Sequence, residues 1–227
     1  KLRKFYAAIM KMDSTSYNRD HSAAEEKSHG LGEVKSTDDI WARQRGAADQ
    51  MAELFVAMAR AAGMKAYLMA VTDRYRNLFL PNFFSLSQLD DYIAIVNVDG
   101  KDEFFDPSQR YCAYQQLAWK HTVVQGIRQV DGGSAISGTP DQSYKDARTD
   151  RLADMTMDEH GMAAGMVTMT YRGAPALRWR QSFLRGDDTS LRHDLQTSLE
   201  KLMPNGMDVK VNFIQQLEDY DQHLVVT

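Results

Sequence analysis

Apolar residues at Leu2, Phe5, Tyr6 and Ile9 recur at helical spacing and predict a first helix over Leu2–Lys11. The chain then turns polar and irregular from Asp13 to Val34. Ser36-Thr37-Asp38-Asp39 sets a hydroxyl cap before an acid three positions on, the start of a short helix running to about Arg45. Trp41 is expected in the core of that helix, and Gly46 interrupts it. The strongest helical pattern is Ala47–Ala62, where Met51, Leu54, Phe55, Met58 and Ala62 follow i, i+3, i+4, i+7 spacing. Gly63 supplies a left-handed C-terminal cap, and Met64 is placed to pack back on the last turn.

Strand patterns follow. Lys65–Val71 and Tyr92–Val98 are apolar runs, and Asp99-Gly100 is a two-residue hairpin turn because both positions tolerate positive φ. Lys101–Phe105 is the returning strand, ended by Asp106-Pro107. Between the first two strands, residues 73–88 carry Tyr75, Phe79, Leu80, Pro81, Phe83 and Phe84 on a connection long for a compact domain, the kind of loop that carries function. The opposing expectation is that its rings pack on the sheet or against a further domain.

From Asp131 to Tyr144 the sequence DGGSAISGTPDQSY has the composition of a linker. Three regions are therefore expected: a core domain over 1–130, a linker over 131–144, and a strand-rich C-terminal domain over 145–227. Beyond the linker, 152–158 and 166–171 read as strands joined through Glu159-His160-Gly161. Residues 174–184 and 189–203 read as helices, with Leu191, Leu195 and Leu199 on one face and a stop at Pro204-Asn205-Gly206. Asp208–Ile214 returns to strand, and 225–227 falls inside another, so the second domain is expected to be cut short. The charged stretch Lys145–Arg151 reads as a solvated strand entry, and His160 as a surface residue of a turn.

Composition narrows the function classes. Lys+Arg 27 against Asp+Glu 31 gives a net charge of −4, which argues against a nucleic-acid partner. No apolar run reaches the ~18 residues of a membrane span. The single cysteine, Cys112, excludes an internal disulfide and any multi-cysteine zinc site. Lys1, with neither Met nor a signal-like apolar region, reads as the start of an excised or processed piece. The 13 methionines are read as packing residues of an irregular core.

The segment from Gly46-Ala47-Ala48-Asp49-Gln50 through Arg60-Ala61-Ala62-Gly63 to Tyr67 resembles the core of the bacterial transglutaminase-like superfamily. That family reads G-x-C-x-D, then a helix ending A-L-L-R-A-x-G, then a strand. Leu89-Asp90-Asp91 through Asp99-Gly100-Lys101 to Asp106-Pro107-Ser108 is similar to the family's F-N-H, apolar strand, D-G-K, apolar strand and D-P-T block. The two blocks stand in the family's order, and the resemblance spans roughly residues 1–130. It implies an α+β fold with a papain-like core of helices packed on an antiparallel sheet. It also implies a triad: a Cys at the helix start, a His on the first hairpin strand and an Asp at the end of the second. A helix N-terminus and a neighbouring imidazolium both favour the thiolate.

The chain departs from that pattern at two of three positions. Ala48 stands at the nucleophile, Asp91 at the base, and only Asp106 keeps its type; Gln50 replaces the acid two positions after the nucleophile. With Val98 facing Lys101, Ile93 faces Asp106, so Asp91 and Asp106 share one face as diagonal neighbours about 7–8 Å apart. Such a pair either binds a cation, with Asp90 the one further ligand nearby, or acts as acid and base, or is a solvated acidic patch left by a decayed site. Cys112 and His121 read as a packed thiol and a surface or satisfied imidazole; the alternative makes them a replacement nucleophile and base.

Two functions remain open at this level. The first is a non-catalytic transglutaminase-like module, a pseudoenzyme that binds or scaffolds in a bacterial cell-envelope protein, with no active catalytic residue, no cofactor and no metal. Its ligand would be a protein or peptide in the former active-site groove, and the resemblance implies a periplasmic or envelope location. The second is an active amidase or transamidase with an unrecognised nucleophile, or a carboxylate-based hydrolase using Asp91 and Asp106.

Overall fold

The computed structural model describes residues 1–17, 34–83, 85–203 and 206–227. Phe84, Pro204, Asn205 and most of the irregular stretch 13–34 lie outside the described residues. The chain is mixed α+β with antiparallel sheets and divides into two compact units, Lys1–Gln142 and Ser143–Thr227.

The first unit begins with α1 (Leu2–Lys11), whose buried face carries Leu2, Tyr6, Ile9 and Met10. Two short strands, β1 (Asp13–Ser14) and β2 (Arg45–Gly46), pair in parallel around α2 (Thr37–Arg43). Ser36 caps α2 by accepting from the Asp39 amide. In α2 the buried residue is Ile40, while Trp41 is 48% exposed, correcting the expectation of a core tryptophan. A helix of two turns has one buried position per turn to offer, and Ile40 occupies it beside Gly46.

Helix α3 (Ala48–Ala61) buries Met51, Ala52, Leu54, Phe55, Val56 and Ala59. It stops as its sequence predicts: the Gly63 amide donates to Arg60 and the Met64 amide to Ala59, with Gly63 at φ 81°. Helix α3 packs on β3 (Ala66–Val71) and β4 (Asp91–Val98). These strands join β5 (Lys101–Phe105), β6 (Gln125–Val130) and β7 (Gly133–Gly138) in one antiparallel sheet of order β5-β4-β3-β6-β7. The hairpin register is the expected one, with Val98 opposite Lys101 and Ala94 opposite Phe105.

Strand β7 corrects the linker reading. Residues 133–138 pair with β6 along their whole length, and Asp131-Gly132 is the turn between them. The segment looks like a linker because it is an edge strand with both faces in water, so small and polar side chains suffice. Gly126 of β6 is required where it stands, since a Cβ there would lie 2.0 Å from the Ala70 carbonyl oxygen.

The sheet has two distinct faces. Phe105 meets Phe55 of α3 at 5.2 Å between ring centres, and Tyr6 stands edge-on to Phe55 at 5.7 Å. Met69, Val71, Ile93 and Ile95 project the other way and are covered by Leu117 and Val124 of the segment between β5 and β6. Burying each such side chain is worth about 2 kcal/mol.

In the second unit β8 (Thr149–Met157) and β9 (Ala163–Tyr171), nine residues each, form a hairpin, followed by α4 (Ala174–Arg185) and α5 (Asp188–Glu200). The sheet is completed by β10 (Ile214–Gln215) and β11 (Leu224–Val226), in the order β10-β11-β9-β8. Leu191, Leu195 and Leu199 pack with Met169, Tyr171, Leu224 and Val226, as the spacing of the leucines predicts. The expected strand over 208–214 is reduced to its last residue plus Gln215. Upstream of that pair, the Asn212 and Phe213 amides donate to the Thr227 carbonyl, and the Asn212 carbonyl accepts from Arg192.

Candidate functional site

Asp91 opens β4, and Asp106 follows the last residue of β5. Strand alternation puts Asp91 on the face that carries Ile93 and Ile95, under the segment that runs from Asp106 to Val124. That segment folds back through a short 3₁₀ turn, Trp119–His121, and delivers His121 between the two acids. Nδ1 of His121 lies 2.7 Å from Asp106 Oδ2, and Nε2 lies 3.0 Å from Asp91 Oδ2. Each ring nitrogen faces a carboxylate oxygen, so each must carry a hydrogen: the ring is an imidazolium. Lys120 Nζ also donates to Asp91 Oδ2. Two carboxylates, one imidazolium and one ammonium form a cluster whose charges cancel.

Burial by itself pulls the His121 pKa down, but the charge and hydrogen bond of Asp106, with the bond to Asp91, override it and raise it to about 9. For Asp91, burial pushes the carboxyl up, and the hydrogen bonds from His121 and Lys120 more than reverse this, leaving its pKa below the usual aspartate value. Asp106 is fully buried and accepts from Ser108 Oγ at 2.8 Å and from the Ala118 amide at 2.9 Å, besides His121. The pair is therefore no solvated acidic patch: both carboxylates are bound on all sides that the fold reaches. Asp90 is engaged elsewhere, accepting from the Asp73 amide at 3.1 Å and pairing with Arg76 at 3.1 Å.

Ala48 is the first residue of α3. Its amide donates to Ser16 Oγ at 3.0 Å, and Gln50 Oε1 turns back to accept from the Ala47 amide at 2.9 Å. The helix start is thus capped by neutral groups, and Gln50 serves it as half of a capping box. Ala48 is joined to the acids through a longer chain. Tyr17, next to Ser16, donates to Gln109 Oε1 at 2.9 Å; Gln109 reaches Ser108 Oγ at 3.3 Å, and Ser108 reaches Asp106. Tyr6 closes the network from α1, donating to the Cys112 carbonyl at 3.0 Å.

Cys112 is buried, and its thiol donates to the Gln116 carbonyl at 3.4 Å. Burial, and then the charge of Asp106, push the thiol pKa well above its ordinary value. Burial and a raised pKa both disfavour the thiolate, which weighs against the replacement-nucleophile reading. Of the two readings of His121, the structure bears out the satisfied imidazole and not the surface one. Its role is carried by position in space; the one signal in the sequence is that a His and a Lys follow a D-P motif within one turn-rich segment.

Among the described residues no group of three or more His, Cys, Asp or Glu side chains is placed to hold a metal ion. In the Asp91–His121–Asp106 cluster the imidazolium itself occupies the position between the carboxylates. Among the described residues no helix is long and apolar enough to cross a membrane. Comparison of the sequence with protein-family models and with curated proteins returned no match.

Proposed function

We propose that the first unit is a transglutaminase-like module whose catalytic site has been converted into a fixed charge network, and that it binds or scaffolds within a bacterial cell-envelope protein. The observation that carries this reading is His121 seated between Asp91 and Asp106 with both ring nitrogens engaged. An imidazolium has no lone pair with which to take a proton, so His121 is no general base at neutral pH. Position 48 bears a methyl group, and the Cys112 thiol is buried with its pKa pushed up. The resemblance of 46–67 and 89–108 to the two family blocks supports the family; the antiparallel hairpin and the helix packed on it agree with that fold class.

A carboxylate-based hydrolase is disfavoured by the same cluster. Acid–base work by two carboxylates needs one protonated and one free, whereas here both accept hydrogen bonds from the His121 ring between them, and Asp106 accepts from Ser108 and the Ala118 amide as well. The ligand proposed for such a module is a protein or peptide segment.

The test follows glutamine-bearing peptides by nuclear magnetic resonance together with a turnover assay. Peptide addition should shift amide resonances of residues 91, 106 and 118–121, with neither ammonia release nor amine incorporation. Turnover by the wild type, abolished in His121→Gln, would overturn the reading.

A further inference from the structure

We propose that the loop between β3 and β4 is a lipid-docking device that seats this chain on a bilayer surface. Residues 77–89, NLFLPNFFSLSQL, contain no charged side chain, while Asp73, Arg74 and Arg76 precede them and Asp90 and Asp91 follow. Four of the described apolar side chains stand out into solvent. Leu78 is 81% exposed, Leu80 58%, Phe83 60% and Leu86 76%. Contiguous exposed apolar groups of this kind mark an interaction surface.

The loop is held in shape. Buried Gln88 accepts from the Leu80 amide at 2.7 Å and donates to the Phe83 carbonyl at 2.6 Å. Further turn bonds join Phe83 to Leu80, Ser85 to Phe83 and Leu89 to Leu86. At the neck Asp90 gathers the Asp73 amide, Asn77 and Arg76. The apolar side chains are therefore presented by a braced scaffold.

Two features select lipid over a protein partner. The tip is apolar: Leu78, Leu80, Phe83 and Leu86 all stand exposed on it. It also offers few directional polar groups: Ser85 and Ser87 bond each other at 2.7 Å, and Gln88 is spent inward. Protein interfaces carry about one hydrogen bond per 100–200 Å². Below the tip lies the composition of a membrane–water belt. Tyr75 and Trp119 are exposed there, the Arg74 guanidinium stacks 4.2 Å over the Trp119 ring, and Arg76 reaches solvent.

The experiment is sedimentation of the 227-residue chain with sucrose-loaded vesicles of phosphatidylcholine, alone and mixed with phosphatidylglycerol. The chain should pellet with both, more strongly with the anionic mixture. Leu78→Ser/Leu86→Ser, at exposed positions that leave the circular dichroism spectrum unchanged, should weaken binding about tenfold or more. Leu86→Trp should shift its emission to the blue on vesicle addition. Failure of the wild type to pellet, or equal pelleting of the double variant, would overturn the proposal. So would sedimentation velocity showing a dimer that the double variant abolishes, because the loop would then be a contact between protein copies.

Discussion

His121 Nδ1 and Asp106 Oδ2 stand 2.7 Å apart with both side chains fully buried, and this pair ties the segment after β5 to the end of the hairpin. A buried pair of this kind is costly to assemble, and more costly to break on one side, because the surviving charge is left without a partner. Asp106→Ala should therefore destabilise the first unit by about 3–5 kcal/mol, measured by denaturant unfolding. His121→Gln, which keeps an amide hydrogen for one acid, should cost less than His121→Ala.

Stability should depend on pH in a defined window. The folded pKa of His121, about 9, exceeds the unfolded value near 6.5, so its contribution is complete below 6.5 and is lost as pH rises through 9. The loss amounts to about 3 kcal/mol. Asp91, with its pKa lowered, acts in the opposite sense: its contribution is present above the unfolded aspartate value and falls away as pH drops through the folded one. Thermal midpoints should fall between pH 7 and 9.5 in the wild type and stay flatter in His121→Gln.

Cys112 should behave as a core side chain. Iodoacetamide should modify it at the rate at which the first unit opens, with modification accelerated by denaturant. Rapid modification of the native protein would place the thiol in a different environment from the one bonded to Gln116.

Rebuilding a thiol triad should require removing His121. Ala48→Cys/Asp91→His alone should give a thiol of ordinary reactivity, because His121 continues to hold Asp106. Adding His121→Ala frees Asp106 to orient the new imidazole and should raise the alkylation rate near neutral pH at least about tenfold over the double variant. Equal rates in the two variants would break the equivalence of Asp91 with the family histidine.

How much of this was legible in the sequence differs by element. Helix α3 and the β4–β5 hairpin could be read because Gly63 and Asp99-Gly100 punctuate them chemically, and punctuation fixes register. Strand β7 could not, because an edge strand in water needs no apolar pattern. Trp41 was misplaced for a related reason: a two-turn helix gives too short a period to tell which face is buried. Asp91 and Asp106 were found by motif and hairpin arithmetic. The place of His121 in the cluster was not, because the segment after Asp106 owes its order to single long-range bonds, such as Ala118 N–H to Asp106, rather than to any repeating pattern.

The most direct measurement of the central claim is the nitrogen-15 spectrum of the His121 ring as a function of pH. Both ring nitrogens should be protonated at pH 7.5, with hydrogens protected from exchange, and the ring should lose its proton near pH 9. A ring that is neutral at pH 7.5 and titrates near 6.5 would contradict the account, because a free lone pair beside Asp91 and Asp106 is a working base rather than a fixed charge.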